Sequence, residues 1–371
     1  MKQFSDIFED QSWEIVKASI YAKRSSDVEE ALSASRRTLE DFKALLSPAA
    51  EPFLEHIAQL SNQLTQKRFG KTIQLFAPMY LSNACNNICT YCGFSMDNKI
   101  KRKTLSASEI LQEIHAIKLQ GFDHILIVTG EANHTVNIDY FLQAINIIKP
   151  HFDNISIEVQ PLETAEYIQL HEAGVHSVLV YQETYNKARY KDYHKKGKKS
   201  NFNYRLQTPD RIGIAGMHKI GLGVLLGLED WRTDSLFCAM HLDYLQKRYW
   251  QTKFSISFPR IRPAEGVDIS GFHINDKELV QLICAYRLMF EEAEISLSTR
   301  ESQQFRDHLV KLGTTTMSAG SKTNPGGYTV DEDSLEQFEI SDERSPKEVA
   351  LMIAANGYEP VWKDWDRALM Q

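Results

Sequence analysis

The stretch Ile73-Gln-Leu-Phe-Ala-Pro-Met-Tyr-Leu81 runs directly into Ser82-Asn-Ala-Cys85-Asn-Asn-Ile-Cys89-Thr-Tyr-Cys92-Gly-Phe94. A short, near-continuous apolar run thus feeds a loop that carries three cysteines. Such a run has the pattern of a parallel strand buried on both faces. The same pattern recurs at Ile125–Thr129, Ile155–Val159, Ser177–Tyr181, Gly223–Leu226, Phe254–Phe258, Ile295–Ser298 and, more weakly, Thr314–Met317. Helical patterns lie between the runs. Ser106-Ala-Ser-Glu109 is a capping box ahead of Ile110, Leu111, Ile114 and Ile117, with Gly121 ending that helix. Pro161-Leu162 opens a helix that stops at Gly174, and Asn275 to Ala293 and Glu301 to Leu312 are further amphipathic stretches. The alternation predicts an α/β protein, a (β/α)8 barrel of the TIM type, closed or partly open. A doubly wound open sheet is the alternative, but no Gly-x-Gly-x-x-Gly follows the first strand, which counts against dinucleotide binding. In a barrel the cysteine loop falls at the C-terminal mouth, where barrel enzymes place their chemistry.

Outside that alternation, residues 1–70 read as a helical extension. Ser25-Ser26-Asp27 caps a run with Val28, Ala31 and Leu32, and Ser47-Pro48 opens another with Phe53, Leu54, Ile57 and Leu60 at helical spacing. The expected division is 1–70 helical extension, 71–320 barrel and 321–371 C-terminal extension.

Of the 371 residues, 43% are hydrophobic and 25% charged, an ordinary globular mix. A compact chain of this size buries roughly 75% of its unfolded surface, so it needs neither disulfide nor metal to fold. A bound metal would serve chemistry. The net charge of −7 argues against a general nucleic-acid binder. No apolar run reaches membrane-spanning length, and Met1 to Asp10 carries acids and no apolar signal core, so the expected location is the cytoplasm.

In a reducing compartment the five cysteines, Cys85, Cys89, Cys92, Cys238 and Cys284, are not a disulfide framework. Three thiolates on one loop can each ligate a different iron of a cubane cluster, leaving one iron open to a substrate or cofactor. Buried structural cysteines would follow a core period, which this spacing does not. A zinc site with His115 as fourth ligand is the other reading, but zinc motifs more often pair two Cys-x-x-Cys units. Cys238 and Cys284 lie alone in helical patterns and read as core.

Cys-x3-Cys-x2-Cys with an aromatic before the last cysteine resembles the signature of the radical S-adenosylmethionine (SAM) enzymes. The resemblance implies a [4Fe–4S] cluster on Cys85, Cys89 and Cys92, with SAM chelating the fourth iron. It implies that Tyr91 lies against the adenine. Thr129-Gly130-Glu131 stands where many members have Gly-Gly-Glu, which implies that Glu131 meets the SAM ammonium. Glu158 and Glu183 are then candidates for the ribose and methionine ends, with Gln182 and Tyr185 as weaker ones.

More of the chain is similar to the 2-iminoacetate synthases, the tyrosine lyases of thiamine thiazole biosynthesis. The residues that carry this are Ile157-Glu158-Val-Gln-Pro-Leu162, Tyr181-Gln-Glu183-Thr-Tyr185, Phe258-Pro-Arg260-Ile-Arg262-Pro263, Leu297-Ser-Thr-Arg300-Glu301 and Met317-Ser-Ala-Gly-Ser321. The tail adds Gln337-Phe-Glu-Ile-Ser-Asp-Glu-Arg344 and Gly357-Tyr-Glu-Pro-Val-Trp-Lys-Asp-Trp365. The resemblance implies cleavage of the Cα–Cβ bond of L-tyrosine to 2-iminoacetate and 4-cresol, driven by a 5′-deoxyadenosyl radical from SAM. A substrate carboxylate inside a barrel needs a fixed cation, and arginine offers a bidentate fork. Arg300 is the first candidate and Ser318 a second donor, as an Arg and a Ser serve in related aromatic amino-acid lyases. Arg260 and Arg262 compete with Arg300, and a mouth salt bridge to Glu183 or Glu301 is the plainer reading of each.

The tyrosine lyase of [FeFe]-hydrogenase maturation shares the first half-reaction but needs a further cysteine set, and no cysteine follows Cys284. A non-catalytic zinc-binding interaction protein is the reading from another class. The expected partners are a thiazole synthase subunit, which would take up the easily hydrolysed 2-iminoacetate, and a reductant such as flavodoxin or ferredoxin. Two charge runs stand apart. Asn186 to Ser200 holds Lys187, Arg189, Lys191, Lys195, Lys196, Lys198 and Lys199 against Asp192, and Asp331 to Glu343 holds seven acids. Both read first as solvated surface, with a phosphate or partner contact as the functional reading of the basic run. The acidic run and the N-terminal helices are the candidate docking surfaces.

Overall fold

The computed structural model describes residues 2–267, 271, 273–329 and 336–363. Eleven strands occur among them. They are β1 (Thr72–Ser82), β2 (Ile88–Cys89), β3 (His124–Thr129), β4 (Asn154–Glu158), β5 (Ser177–Leu179), β6 (His194–Lys196), β7 (Lys219–Gly223), β8 (Lys253–Ser257), β9 (Glu294–Leu297), β10 (Thr316–Ser318) and β11 (Glu359–Val361). The order β10-β9-β8-β7-β5-β4-β3-β1 is parallel throughout, and β10 also pairs with β1. The barrel is therefore closed, with Phe76 opposite Ser318 at the seam and Val128 opposite Glu158 across β3 and β4. Helices follow the strands on the outside, among them Ala107–Leu119, Ile138–Ile148, Thr164–Ala173, Trp231–Arg248 and Asp276–Met289. The expected (β/α)8 architecture is the one found.

Two strands depart most from the sequence reading. The run expected at Gly223–Leu226 is a strand at Lys219–Gly223, because Gly221 and Gly223 dilute the apolar signal where the ladder runs. Val224 and Leu226 are buried beyond it, held by single bridges to Glu183 and Arg260. The second departure is β11, which adds to the outer side of the start of β1, with Ile73 opposite Pro360. A three-residue strand centred on proline carries little strand signal, and proline is tolerated there because an edge leaves one side of the backbone unpaired.

The N-terminal helices pack outside the barrel. Phe4 stacks on His241 with centroids 3.8 Å apart, and Phe42 meets Tyr286 edge-on at 4.9 Å. The cap read at Ser25-Ser26-Asp27 falls one residue earlier, on Arg24, whose N–H donates to the Asp27 carboxylate at 2.7 Å. Ser47-Pro48 opens a short 3-10 turn before the helix Leu54–Phe69.

Candidate active site

The C-terminal strand ends converge on one cavity, whose lining takes Cys85, Cys89, Tyr91 and Cys92 from the loop after β1. The following strands and loops add Glu131, Glu158, Glu183, Lys199, Arg205, Arg300, Ser318, Gln337 and Phe338.

The cysteine loop is irregular, so its backbone groups need partners other than a ladder. Arg102 supplies four of them, donating to the carbonyls of Asn83, Phe94, Ser95 and Asn98. Cys89 joins β2 to β6 opposite His194, and its N–H donates to Ser95 Oγ at 3.0 Å. Gly130 explains one motif position. A Cβ there would sit 2.2 Å from the Ala84 carbonyl oxygen, so the loop can lie on the end of β3 only if this residue is glycine. The preceding position tolerates Thr129, whose Oγ1 is buried without a partner among the described residues.

Burial raises all three thiols, Cys85 to about 11, so metal uptake must displace their protons. Among the described residues, no three His, Cys, Asp or Glu side chains converge on a single-ion site. Three thiolates on one loop suit a cubane, in which each takes a different iron. His115, the fourth ligand a zinc site would need, is exposed on the helix Ala107–Leu119 and meets His151 edge-on. Three sulfur donors at a cavity wall, with charged groups beside them, fit a cluster with an open iron.

Those charged groups form a network that the sequence did not reveal. Glu131 accepts from Asn87 Nδ2 at 2.7 Å and from Arg205 at 2.9 Å. Glu183 accepts from Lys199 Nζ at 2.8 Å, with Arg205 at 3.6 Å. Burial alone would raise both carboxyls. Arg205 and Lys199 outweigh it and hold them below the usual carboxylate range. Glu183 has φ 70°, the left-handed region that a non-glycine residue rarely adopts, and this turn carries its carboxylate to Lys199. The next residues are clamped by Asp234, which accepts from Thr184 Oγ1 at 3.0 Å and from Tyr185 N at 2.6 Å. Glu158 lacks a cationic partner at contact distance among the described residues. Burial, then repulsion from Glu183, raises it to about 7 against the pull of Arg300.

Tyr91 lines the cavity with Lys199 Nζ 5.5 Å from its ring centroid. Its hydroxyl is 2.7 Å from His194 Nε2, and His194 Nδ1 lies 2.8 Å from the Tyr190 carbonyl. A carbonyl only accepts, so Nδ1 carries the hydrogen and Nε2 accepts from Tyr91. Burial lowers the His194 pKa and keeps the ring neutral, in agreement with that tautomer.

Arg300 lines the same cavity. Its guanidinium carbon is 3.3 Å from the Phe338 ring centroid, and one N–H reaches the Arg260 carbonyl at 3.3 Å. Ser318 Oγ accepts from Thr299 N at 3.1 Å, which leaves its own hydrogen free to donate. The rival arginines are engaged elsewhere. Arg260 is forked onto Glu301 and reaches Asp276 at 2.8 Å, and Arg262 bonds Ser341 Oγ; neither lines the cavity. The plainer reading, a mouth salt bridge to Glu301, holds for Arg260. Gln182 and Tyr185 also lie outside the lining, with Tyr185 in the core against Phe4, Phe8 and Phe237. Cys238 and Cys284 are buried in helices as expected.

The residues that sequence reasoning missed are Lys199, Arg205, Asn87, Arg102, Gln337 and Phe338. Lys199 sat inside the run read as solvated surface. Its neighbours Tyr190 and His194 are buried, which marks one face of that run as an inner wall. The acidic run is described only from Glu336 onward; its first residues, 331–335, lie outside the described part.

Residues 79–237 match the Radical SAM superfamily, and residues 257–359 match the Biotin and Thiamin Synthesis associated domain. With the closed barrel and the cysteine loop at its mouth, these define a radical SAM enzyme. The chain is 50% identical over 370 residues to 2-iminoacetate synthase of Escherichia coli, covering 100% of this chain and 98% of that one. It is 50% identical over 367 residues to 2-iminoacetate synthase of Salmonella typhimurium, covering 99% and 97%. The chain belongs to the 2-iminoacetate synthase family. The FeFe-hydrogenase maturase HydG of Carboxydothermus hydrogenoformans has a similar structure, with a TM-score of 0.89 and 31% identity over 97% of this chain and 85% of that one.

Proposed function

We propose that the barrel mouth converts L-tyrosine to 2-iminoacetate and 4-cresol, with SAM consumed to methionine and 5′-deoxyadenosine. The reaction supplies the imine unit of the thiamine thiazole. A reduced [4Fe–4S] cluster would supply the chemistry, homolysis of SAM to a 5′-deoxyadenosyl radical that takes hydrogen from tyrosine. Cys85, Cys89 and Cys92 would hold the cluster. Tyr91, Glu131, Glu158 and Glu183 face the space for SAM, and Lys199 and Arg205 hold two of those carboxylates ionised. Arg300 and Ser318 take the tyrosine carboxylate, a fork and a hydroxyl on adjacent strand ends. Arg260 and Arg262 hold the mouth together around them.

The observation that carries this reading is the placement of the three thiols and Arg300 on the walls of one cavity. A primary carbon radical attacks almost any nearby C–H bond, so selectivity rests on near-attack geometry and exclusion of water. A closed barrel whose mouth is crossed by residues 336–342 supplies both. The test is an anaerobic assay of iron-reconstituted protein with dithionite, SAM and L-tyrosine, read by mass spectrometry. The expected products are 5′-deoxyadenosine, 4-cresol and glyoxylate from hydrolysed 2-iminoacetate. Deoxyadenosine without cresol rejects tyrosine as substrate. Cys85→Ala, Cys89→Ala and Cys92→Ala should each abolish deoxyadenosine formation.

Because 2-iminoacetate hydrolyses readily, the protein hands it to a thiazole synthase subunit in a complex, and flavodoxin or ferredoxin reduces the cluster. The setting is cytoplasmic. Among the described residues no helix is long and apolar enough to cross a membrane. Co-purification with thiazole synthase under anaerobic conditions tests the complex; two separate peaks at micromolar concentration would reject it.

A further inference from the structure

We propose that Gln337 is a redox-positioning residue, whose side-chain amide donates an N–H···S hydrogen bond to Cys92 and raises the reduction potential of the cluster held there. The inference rests on the reading of Cys85, Cys89 and Cys92 as cluster ligands. Gln337 belongs to none of the barrel strands. It arrives from the C-terminal segment that crosses the mouth, and it is fixed at every polar group. Its N–H donates to the Thr323 carbonyl at 3.0 Å, and its carbonyl accepts from Gly93 N, the residue after Cys92, also at 3.0 Å. A Cβ on Gly93 would lie 2.8 Å from that carbonyl oxygen, so the segment rests directly on the cysteine loop. In the side chain, Oε1 accepts from the Tyr80 hydroxyl at 2.7 Å, and Nε2 stands 3.8 Å from Cys92 Sγ.

The two contacts fix the amide's orientation. Turning it over would aim Oε1 at the sulfur, which as an iron-bound thiolate has no hydrogen to give. The thiolate, which can only accept, thus selects the orientation that turns Nε2 to Cys92, and Tyr80 completes it by donating to Oε1. Electron uptake by an iron–sulfur cluster places added negative charge partly on its ligating sulfurs. A donor to sulfur stabilises the reduced form more than the oxidised one, and hydrogen bonds to the sulfurs are among the levers that set these potentials. Cys85 and Cys89 have no comparable side-chain donor among the described hydrogen bonds.

The test is an anaerobic potentiometric titration of the reconstituted holoenzyme without SAM, followed by the EPR signal of the reduced cluster, alongside iron and sulfide counts. Gln337→Leu keeps the bulk and removes the donor. The expected result is a roughly tenfold smaller equilibrium constant for one-electron reduction, about 59 mV toward more negative potential. Gln337→Glu places an acceptor against the sulfur and should shift the potential further in the same direction. A fully loaded Gln337→Leu protein with the wild-type potential overturns the inference. Where Gln337→Leu does not load, Gln337→Glu decides in the same way. Wild-type protein that takes up no four-iron cluster fails at the iron count, which rejects the cluster reading and this inference together.

Discussion

The ring of Phe338 covers the guanidinium of Arg300, its centroid 3.3 Å from the central carbon. An aromatic face on one side of a guanidinium leaves the fork edge open while holding its plane, and in a desolvated setting the contact is worth about 2 kcal/mol. Phe338 therefore orients the cation proposed to receive the tyrosine carboxylate. Phe338→Ala should lower kcat/KM for tyrosine by roughly tenfold to thirtyfold, while iron content and SAM affinity stay at wild-type values. Arg300→Ala should cost more, about 3 kcal/mol or roughly 150-fold, the worth of hydrogen bonds to a charged group. Arg260→Ala should behave differently. It strands the buried Glu301 carboxylate and should lower stability by about 3 to 5 kcal/mol in urea unfolding. If Arg260→Ala instead raises KM for tyrosine at unchanged stability, the carboxylate site belongs to it.

Lys199 and Glu183 form a second testable pair. Glu183 is buried and Lys199 largely covered, and the ion pair is 2.8 Å long. Lys199→Met removes the nearest cation and leaves Glu183 with Arg205 at 3.6 Å, so burial should push the Glu183 carboxyl upward. The expected outcome is SAM affinity weaker by roughly tenfold or more, measured by anaerobic calorimetry, with tyrosine affinity little changed. Equal loss for both ligands would mean that the lysine holds the cavity's shape.

The barrel was legible because its strands, buried on both faces, carry near-continuous apolar runs that a helix or surface strand would not show. The boundary errors fall where glycine replaces those apolar residues, at Gly221 and Gly223, and at β11, which the helix Pro346–Ala355 and Gly357 set beside β1 from far along the chain. The cysteines were legible because their spacing serves no structural period. Arg300 was legible as a cation at a strand end. Lys199, Arg205 and Gln337 were not, since the first two sit on short helical turns and the third on an irregular segment, and the placement of all three depends on tertiary contacts. A lysine in a run of lysines gives no sign of which one turns inward. Arg260 and Arg300 likewise look alike in sequence; the nearby Glu301 separates them by engaging one.

Glu158 predicts a pH effect. Burial raises its carboxyl from the usual 4.5 to about 7. Between those values the folded state binds a proton that the unfolded state has released. The stabilisation is complete below the unfolded value and lost as pH rises through about 7. A shift of this size corresponds to up to roughly 3 kcal/mol. In protein free of SAM, Glu158→Gln should match wild type in urea midpoint near pH 4 and exceed it near pH 8. Curves that stay parallel across that range would place the titration elsewhere.

Removing the segment after Thr329 looks, from sequence alone, like a way to test docking of a partner on an acidic tail. The structure makes that deletion a test of stability. Arg306 is fully buried and pairs with Asp342, which is itself buried and also bonded by Arg344 at 2.7 Å. The Arg306 guanidinium also donates to the Ser318 carbonyl, at the strand end that lines the cavity. Cutting the tail removes Asp342, leaves Arg306 charged in the interior, and strips Gln337 and Phe338 from the mouth. Asp342→Ala isolates the first of these effects. It should destabilise by about 3 to 5 kcal/mol, because a buried charge left without its partner keeps its full desolvation cost. Urea unfolding of the variant is the measurement. A loss below about 1 kcal/mol would show that water or Asp307 compensates Arg306, and would restore truncation as a clean probe of the partner surface.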